Sequence, residues 1–282
     1  MKITKVLCSV LAALTLVSAS VLSAAAADDT SKADIKRATV APVIDGKIDK
    51  IWSYAPEIKP TQSGDSPTAG LKDKSYFKML WDDKGFYVLA YVADPTVNPD
   101  VAGDAWKHVA NGVELYVSET DAKEWDINKA YKSNGAGGTG DYIVRLPSDG
   151  TAIITSDLIS ADKVNFKTVV NKDKDYIIEV FIPWNKTDAK HEIGSKMGIT
   201  FKIMDDTNGD GTTDGYAMWE TLPDGNGMHR YWDTTYCIPT VTLVAGPEIT
   251  PDTPETADAL SIAIIIAAAS AAVVFAASKK RG

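Results

Sequence analysis

Tyr76-Phe77-Lys78-Met79-Leu80-Trp81, then Asp82-Asp83-Lys84-Gly85, then Phe86-Tyr87-Val88-Leu89-Ala90-Tyr91-Val92-Ala93 reads as two strands joined by a tight turn. Apolar and aromatic side chains dominate both arms, and the short Asp/Gly cluster between them supplies the turn, which is the pattern of a β-hairpin. The period of two continues on either side. It predicts strands over Gly112 to Ser118, Asp141 to Pro147, Ala152 to Ser156, Asn165 to Val170, Tyr176 to Ile182, Met197 to Asp205, Tyr216 to Thr221 and Pro239 to Val244. Helical periodicity is nearly absent and no internal repeat stands out. The expected fold is all-β, an antiparallel sandwich of about ten strands forming one domain over residues 36–244, after a short polar leader over 28–35.

Both ends of the chain differ from this middle. Lys2 and Lys5 precede an apolar run from Val6 to Leu22 that closes on Ala25-Ala26-Ala27, so residues 1–27 read as an export signal peptide. At the other end Ala259 to Ala277 carries no charge and is followed by Lys279-Lys280-Arg281, the pattern of a transmembrane helix with a cytoplasmic C-terminus. Residues 245–256, with Pro247, Pro251 and Pro254, form a stiff spacer of roughly 35 Å, and residues 257–282 form the anchor. Thr253-Pro254-Glu255-Thr256-Ala257 resembles the cell-wall sorting signals of Gram-positive bacteria, departing at its first position. That resemblance implies a sortase that cuts after Thr256 and joins the domain to peptidoglycan; a plain bilayer anchor is the alternative. Either places the domain on the outer face of the cell envelope.

The chain has 29 Lys+Arg and 38 Asp+Glu; leaving out residues 1–27 and 257–282 reduces these to 24 and 37, a net charge of −13 on residues 28–256. Such a surface repels nucleic acid and suits neutral ligands and divalent cations. Cys237 is the one cysteine left after signal cleavage, so no internal disulfide supports the exported domain.

Two motifs need a context that the sequence denies them. Gly135-Ala136-Gly137-Gly138-Thr139-Gly140 has dinucleotide-type glycine spacing but leads into a strand instead of a helix, and reads as a loop. His108, His191 and His229 lack metal-ligand spacing. The stretch Asp206 to Asp214 is more informative, because Asp206, Asn208, Asp210 and Asp214 place oxygens at alternate positions, as calcium loops do. It sits between two strands and lacks an acid at Ala217, so a sharp hairpin closed by Asx-turns is the competing reading.

Taken in order, Pro42-Val43-Ile44-Asp45-Gly46-Lys47-Ile48-Asp49 with Trp52, then Leu80-Trp81-Asp82 with Phe86 to Ala90 and Asp94-Pro95, resembles the opening of family 9 carbohydrate-binding modules. Trp106 before Gly112-Val113-Glu114-Leu115-Tyr116, the strand Tyr176-Ile177-Ile178-Glu179 to Ile182-Pro183-Trp184, and Asp205-Asp206 before Trp219 continue that order over nearly the whole mature domain. The resemblance implies a β-sandwich, structural calcium, and a polysaccharide or oligosaccharide partner of β-glucan or xylan type held at chain ends. It also implies glycoside hydrolases as partners on the same cell surface.

Sugars need flat aromatic platforms beside a few fixed polar groups. Of seven tryptophans, Trp52, Trp81 and Trp184 fall in strand-like patterns and read as core, whereas Trp106, Trp125, Trp219 and Trp232 sit in or beside polar loops. The resemblance makes Trp106 and Trp219 the two rings of a clamp, Glu114 an acceptor from sugar hydroxyls and Arg145 a donor to them. A surface ion pair between Glu114 and Arg145 is the alternative. Asn111 stands where the family shows an aspartate, and Trp106 lies two residues farther from Glu114 than the pattern, which makes Trp125 a substitute ring. Two other classes stay open: a glycosidase built on Glu114 and Glu179, and an extracellular haem domain with Met79, Met204, Met218 or His108 as axial ligand.

Overall fold

The computed structural model describes residues 32–65, 71–98, 111–119, 141–151, 153–154, 159, 161–185, 189–222, 228, 231 and 237–247. In chain order these form β1 (Ala33–Arg37), β2 (Gln62–Asp65), the short helix α1 (Leu71–Lys74), β3 (Tyr76–Trp81), β4 (Gly85–Val92), β5 (Gly112–Ser118), β6 (Asp141–Pro147) and β7 (Ile153–Ile154). They continue with β8 (Asn165–Asn171), β9 (Asp175–Pro183), β10 (Lys196–Asp205), β11 (Gly215–Met218) and β12 (Thr240–Val244), plus 3-10 turns at Lys50–Tyr54 and Ala161–Lys163. The hairpin forms where the sequence puts it: β3 and β4 pair antiparallel with Trp81 opposite Phe86, and Asp82 accepts from the Lys84 N–H at 2.7 Å inside the turn.

Neighbouring strands follow the order β7-β6-β5-β10-β12-β1-β3-β4-β9-β8, with β11 beside β10 and β2 beside β11. This path folds over so that β6, β5, β10 and β11 face β3, β4 and β9. The stacked rings of Phe77 on β3 and Phe201 on β10, 4.5 Å between centroids, mark the contact of the two layers. The result is the expected β-sandwich, with two strands that alternation does not reveal. β1 starts at Ala33, inside the stretch expected to be a polar leader; only Ile35 of its five residues is buried, and its partners β12 and β3 run parallel to it from distant parts of the chain.

Side-chain alternation sorts the apolar residues into three layers. Inward positions, among them Val113, Leu115, Val117, Phe201, Ile203, Met79, Val88, Ile178 and Val180, make the central core. Behind β3, β4 and β9 a second layer holds Trp52, Ala55, Leu80, Tyr87 and Leu89 under the segment that runs from β1 to the first 3-10 turn. Behind β5, β6, β10 and β11 a third layer holds Tyr116, Ile143, Met218, Tyr231, Cys237 and Ile238.

Glu179 fastens the second layer. It points outward from β9, is fully buried, and accepts from the Trp52 indole N–H at 2.8 Å and from the backbone N–H groups of Gly46 at 2.7 Å and Asp45 at 3.1 Å. Gly46 turns the chain there at φ +83°, and an added Cβ would meet Val169 Cγ2 at 2.3 Å, so only glycine fits. Replacing Glu179 by Ala should lower stability strongly, about 1–3 kcal/mol for each buried donor left without a partner, read as a drop in thermal midpoint of several degrees. A melt unchanged by Glu179→Ala would show that the segment is held by apolar packing alone.

Candidate functional site

The outer face of β5, β6, β10 and β11 gathers a row of charged side chains beside aromatic rings. Register puts Arg145 on β6 opposite Glu114 on β5, Glu114 opposite Lys202 on β10, and Lys202 opposite Met218 on β11. These four side chains form a row across the sheet. One alternation along, Tyr116 and Ile143 are paired, and Tyr216 lies beside Lys202, whose Nζ sits 5.5 Å from the ring centroid. Tyr231 meets Tyr116 edge-on with centroids 5.1 Å apart.

Glu114 is the centre of the row and has no exposed surface. Its Oε1 accepts from Arg145 Nε at 2.6 Å, its Oε2 accepts from the Tyr116 hydroxyl at 2.5 Å, and Lys202 Nζ lies 3.3 Å from the same Oε2. Burial would raise its pKa, but Lys202, Arg145 and the Tyr116 hydroxyl outweigh burial and hold it down to about 2. The Tyr116 hydroxyl, driven first by burial and then by the adjacent carboxylate, goes well above its ordinary value and stays a donor.

Sequence reading therefore finds Glu114 and Arg145 together on one face, and the pair is an ion pair, buried instead of exposed. The oxygens of Glu114 are already engaged by Arg145, Tyr116 and Lys202. Arg145 has a side chain 15 % exposed and spends its Nε on Glu114; Lys202 is 12 % exposed and pairs with the same carboxylate. Each cation has more N–H groups than its contact with Glu114 uses, so both keep the capacity to donate to a further acceptor. Lys202, Tyr116 and Tyr216 are additions that the sequence did not single out, although parity was available as a signal. Lys202 is a lone cation in the apolar stretch Met197 to Asp205, and it falls on the outward parity.

Other expected positions lie elsewhere. Trp219 is corrected from an exposed platform to a core residue: it follows Met218, whose side chain is outward, so its own ring turns inward, 6 % exposed and packed at 5.8 Å from Phe201. Its remaining edge lines an open groove of about 630 Å³ with Lys32, Lys36, Ile58 and Lys59, away from the Glu114 row. Asn111 is buried, and its Oδ1 accepts from the Asp206 N–H at 2.7 Å, so it ties β5 to the loop after β10. Trp106, Trp125 and Trp232 lie outside the described residues, as do His108 and His229. Trp52 and Trp81 are fully buried, as their patterns imply; Trp184 is half-buried and stacks on His191 at 3.9 Å.

In the loop after β10 the expected calcium ligands turn to the backbone. Asp206 is buried and accepts from the N–H groups of Gly209, Asp210 and Gly211 at 2.8, 3.2 and 2.9 Å. Asn208 accepts from the Asp210 N–H, Asp210 from Thr212, and Asp214 from both the N–H and hydroxyl of Thr207. These are Asx-turns that brace the hairpin. At the root of the loop Asp94 keeps a buried Oδ2 without a hydrogen-bond partner, and burial, with Asp205 and Asp206 adding, raises its pKa. Among the described residues no three His, Cys, Asp or Glu side chains converge so as to hold a metal.

The two carboxylates of the glycosidase reading also separate. Glu114 points outward from one layer and Glu179 outward from the opposite one, with the whole central core between them, so they share no cleft. Met79 sits inside that core, and Met204 and Met218 are buried.

Three outcomes follow from this geometry. Trp219→Ala should cost about 3–5 kcal/mol of stability, as for other buried rings, measured by chemical denaturation; loss of ligand binding at unchanged stability would return it to a platform role. Asp206→Ala should lower the thermal midpoint equally in chelator and in millimolar calcium, whereas a wild-type midpoint that rises with calcium would assign the loop to a cation. Because the Glu114 pKa falls from 4.5 to about 2 on folding, its ionic contribution is complete above pH 4.5 and is lost as pH falls toward 2. Glu114→Gln should remove that acid limb from the stability profile.

Comparison with known proteins agrees with the geometry. Residues 44–245 match the family described as carbohydrate family 9 binding domain-like. Endo-1,4-beta-xylanase C of Paenibacillus barcinonensis is 32 % identical over 206 residues, 72 % of this chain and 17 % of that protein. Endo-1,4-beta-xylanase A of Thermotoga neapolitana is 31 % identical over 179 residues, 63 % of this chain and 15 % of that protein. The chain thus spans only a small part of the curated relatives it matches. A family 9 carbohydrate-binding module from Caldicellulosiruptor kristjanssonii, solved with cellotriose, superposes with a TM-score of 0.57 at 22 % identity, covering 79 % of this chain and 99 % of that one. The same kind of module from that organism, solved with glucose, gives 0.56 at 21 % identity over 78 % and 98 %. The fold is therefore shared, and by the match over residues 44–245 the chain belongs to the carbohydrate family 9 binding domain-like family.

Proposed function

We propose that this domain holds a β-glucan or xylan type glycan without cleaving it, at the outer face of β5, β6, β10 and β11. The observation that carries the reading is the pair Arg145 and Lys202, nearly buried and held on either side of Glu114, with Tyr116, Tyr216 and Tyr231 grouped on the same face. Fixed donors framed by aromatic rings are what a sugar oxygen and its C–H face require. Family membership supports it, as do the cellotriose and glucose complexes of the structural neighbours. The xylanase names of the relatives belong to much longer proteins, so glycoside hydrolases enter as partners of the domain. The carboxylates Glu114 and Glu179, on opposite outer faces, give no acid–base pair for hydrolysis.

Display on the outer face of the cell envelope belongs to the same proposal and rests on the sequence of residues 1–27 and 257–282, which lie outside the described residues. Among the described residues no helix is long and apolar enough to cross a membrane. Retention of a Thr256→Ala variant in the membrane fraction, with wild-type protein in the wall fraction, would support processing by a sortase.

Titration calorimetry with cello- and xylo-oligosaccharides should give saturable binding of weak to moderate affinity, since one or two sugars make a small contact. Reducing-sugar release should stay at background. Absence of heat with every glucan and xylan would overturn the reading, and release of reducing ends would turn it into an enzyme.

A further inference from the structure

We infer that the site selects glycans that carry isolated carboxylates, uronosyl branches on an otherwise neutral chain, and that Lys202 is the residue that makes the selection. This rests on the proposed glycan site and deepens it. The row Arg145, Glu114, Lys202 holds two cations against one carboxylate, a local net charge of +1 in a region whose total over residues 28–256 is −13. The oxygens of Glu114 already serve Arg145, Tyr116 and Lys202, so this part of the site presents donors. A neutral sugar hydroxyl offers an acceptor and also a proton that needs a home; a carboxylate offers acceptors alone.

The geometry suits that ligand. Arg145 and Lys202 flank Glu114 on the two adjacent strands, so their charged ends lie on either side of it on one face. Tyr216 lies under the ammonium of Lys202 at 5.5 Å, and Tyr116, raised far above its ordinary pKa by burial and by Glu114, stays protonated and adds no negative charge. The neighbouring Tyr231 is also raised, by burial first, and stays neutral. An incoming carboxylate thus meets two positive groups in a poorly solvated place, where charge-assisted hydrogen bonds are strongest. The acidic remainder of the surface sets the other limit. Polyuronates with a charge on every sugar are repelled as a whole, whereas a sparsely substituted xylan brings one carboxylate to one positive site.

The test compares a xylo-oligosaccharide bearing a single glucuronosyl branch with the same compound after reduction of its carboxyl to the glucosyl alcohol, by calorimetry on the exported domain. The acidic ligand should bind about tenfold more tightly at low salt, and the ratio should shrink as ionic strength rises. Lys202→Gln should bring the ratio close to one, and Lys202→Arg, which restores the charge, should return it. Equal affinities for the two ligands would overturn the inference and leave the glycan site standing. A preference that survives Lys202→Gln unchanged would also overturn it. If neither ligand binds and neutral glucans fail as well, the proposed site itself falls.

Discussion

A strand has two faces, and in this domain the central core claims one face of nearly every strand. That constraint distributes all the remaining chemistry. Glu114 and Glu179 both occupy outward positions, but of opposite layers, and become two separate fixtures instead of one catalytic pair. Trp219 sits one residue beyond an outward methionine and is drawn into the core by parity, whatever its neighbours in the sequence suggest. The polar row on β6, β5 and β10 exists because three strands in register each contribute one outward residue at the same level.

Two buried carboxylates are tolerated for different reasons. Desolvation of a charge is expensive unless hydrogen bonds and opposite charges replace the water. Glu179 is compensated by N–H donors from the chain segment it fastens, and burial still pushes its pKa up. Glu114 has two cations and a phenol, and its pKa goes down although it too is fully buried. One is a structural rivet. The other is a carboxylate held ionised between two cations.

Much of the fold was legible because alternation survives in strands with one buried face. The hairpin over Tyr76 to Val92 and the long strands β5, β9 and β10 are read directly from it. β1 and β2 escape, since Ala33–Arg37 buries a single side chain and Gln62–Asp65 carries no apolar residue at all. Their pairing is decided by partners distant in sequence, which no local pattern encodes. For the site, Glu114 and Arg145 were visible as outward residues, but the state of Glu114 depends on Lys202, some ninety positions away and joined to it only by the register of β5 and β10. The loop from Asp206 to Asp214 shows the same limit in another form: oxygens at alternate positions serve a cation or the backbone equally well, and only the direction in which they turn distinguishes the two.

β12 lies between β1, which it meets parallel, and β10, which it meets antiparallel, and the chain leaves the sheet just after Val244. Ladder hydrogen bonds run across the strands. A pull directed along β12 runs at right angles to those bonds, so the rungs on both sides share the load at once. Peeling, in which the bonds yield one after another, would need a force across the strand. The last described strand is thus clamped in shear between two neighbours.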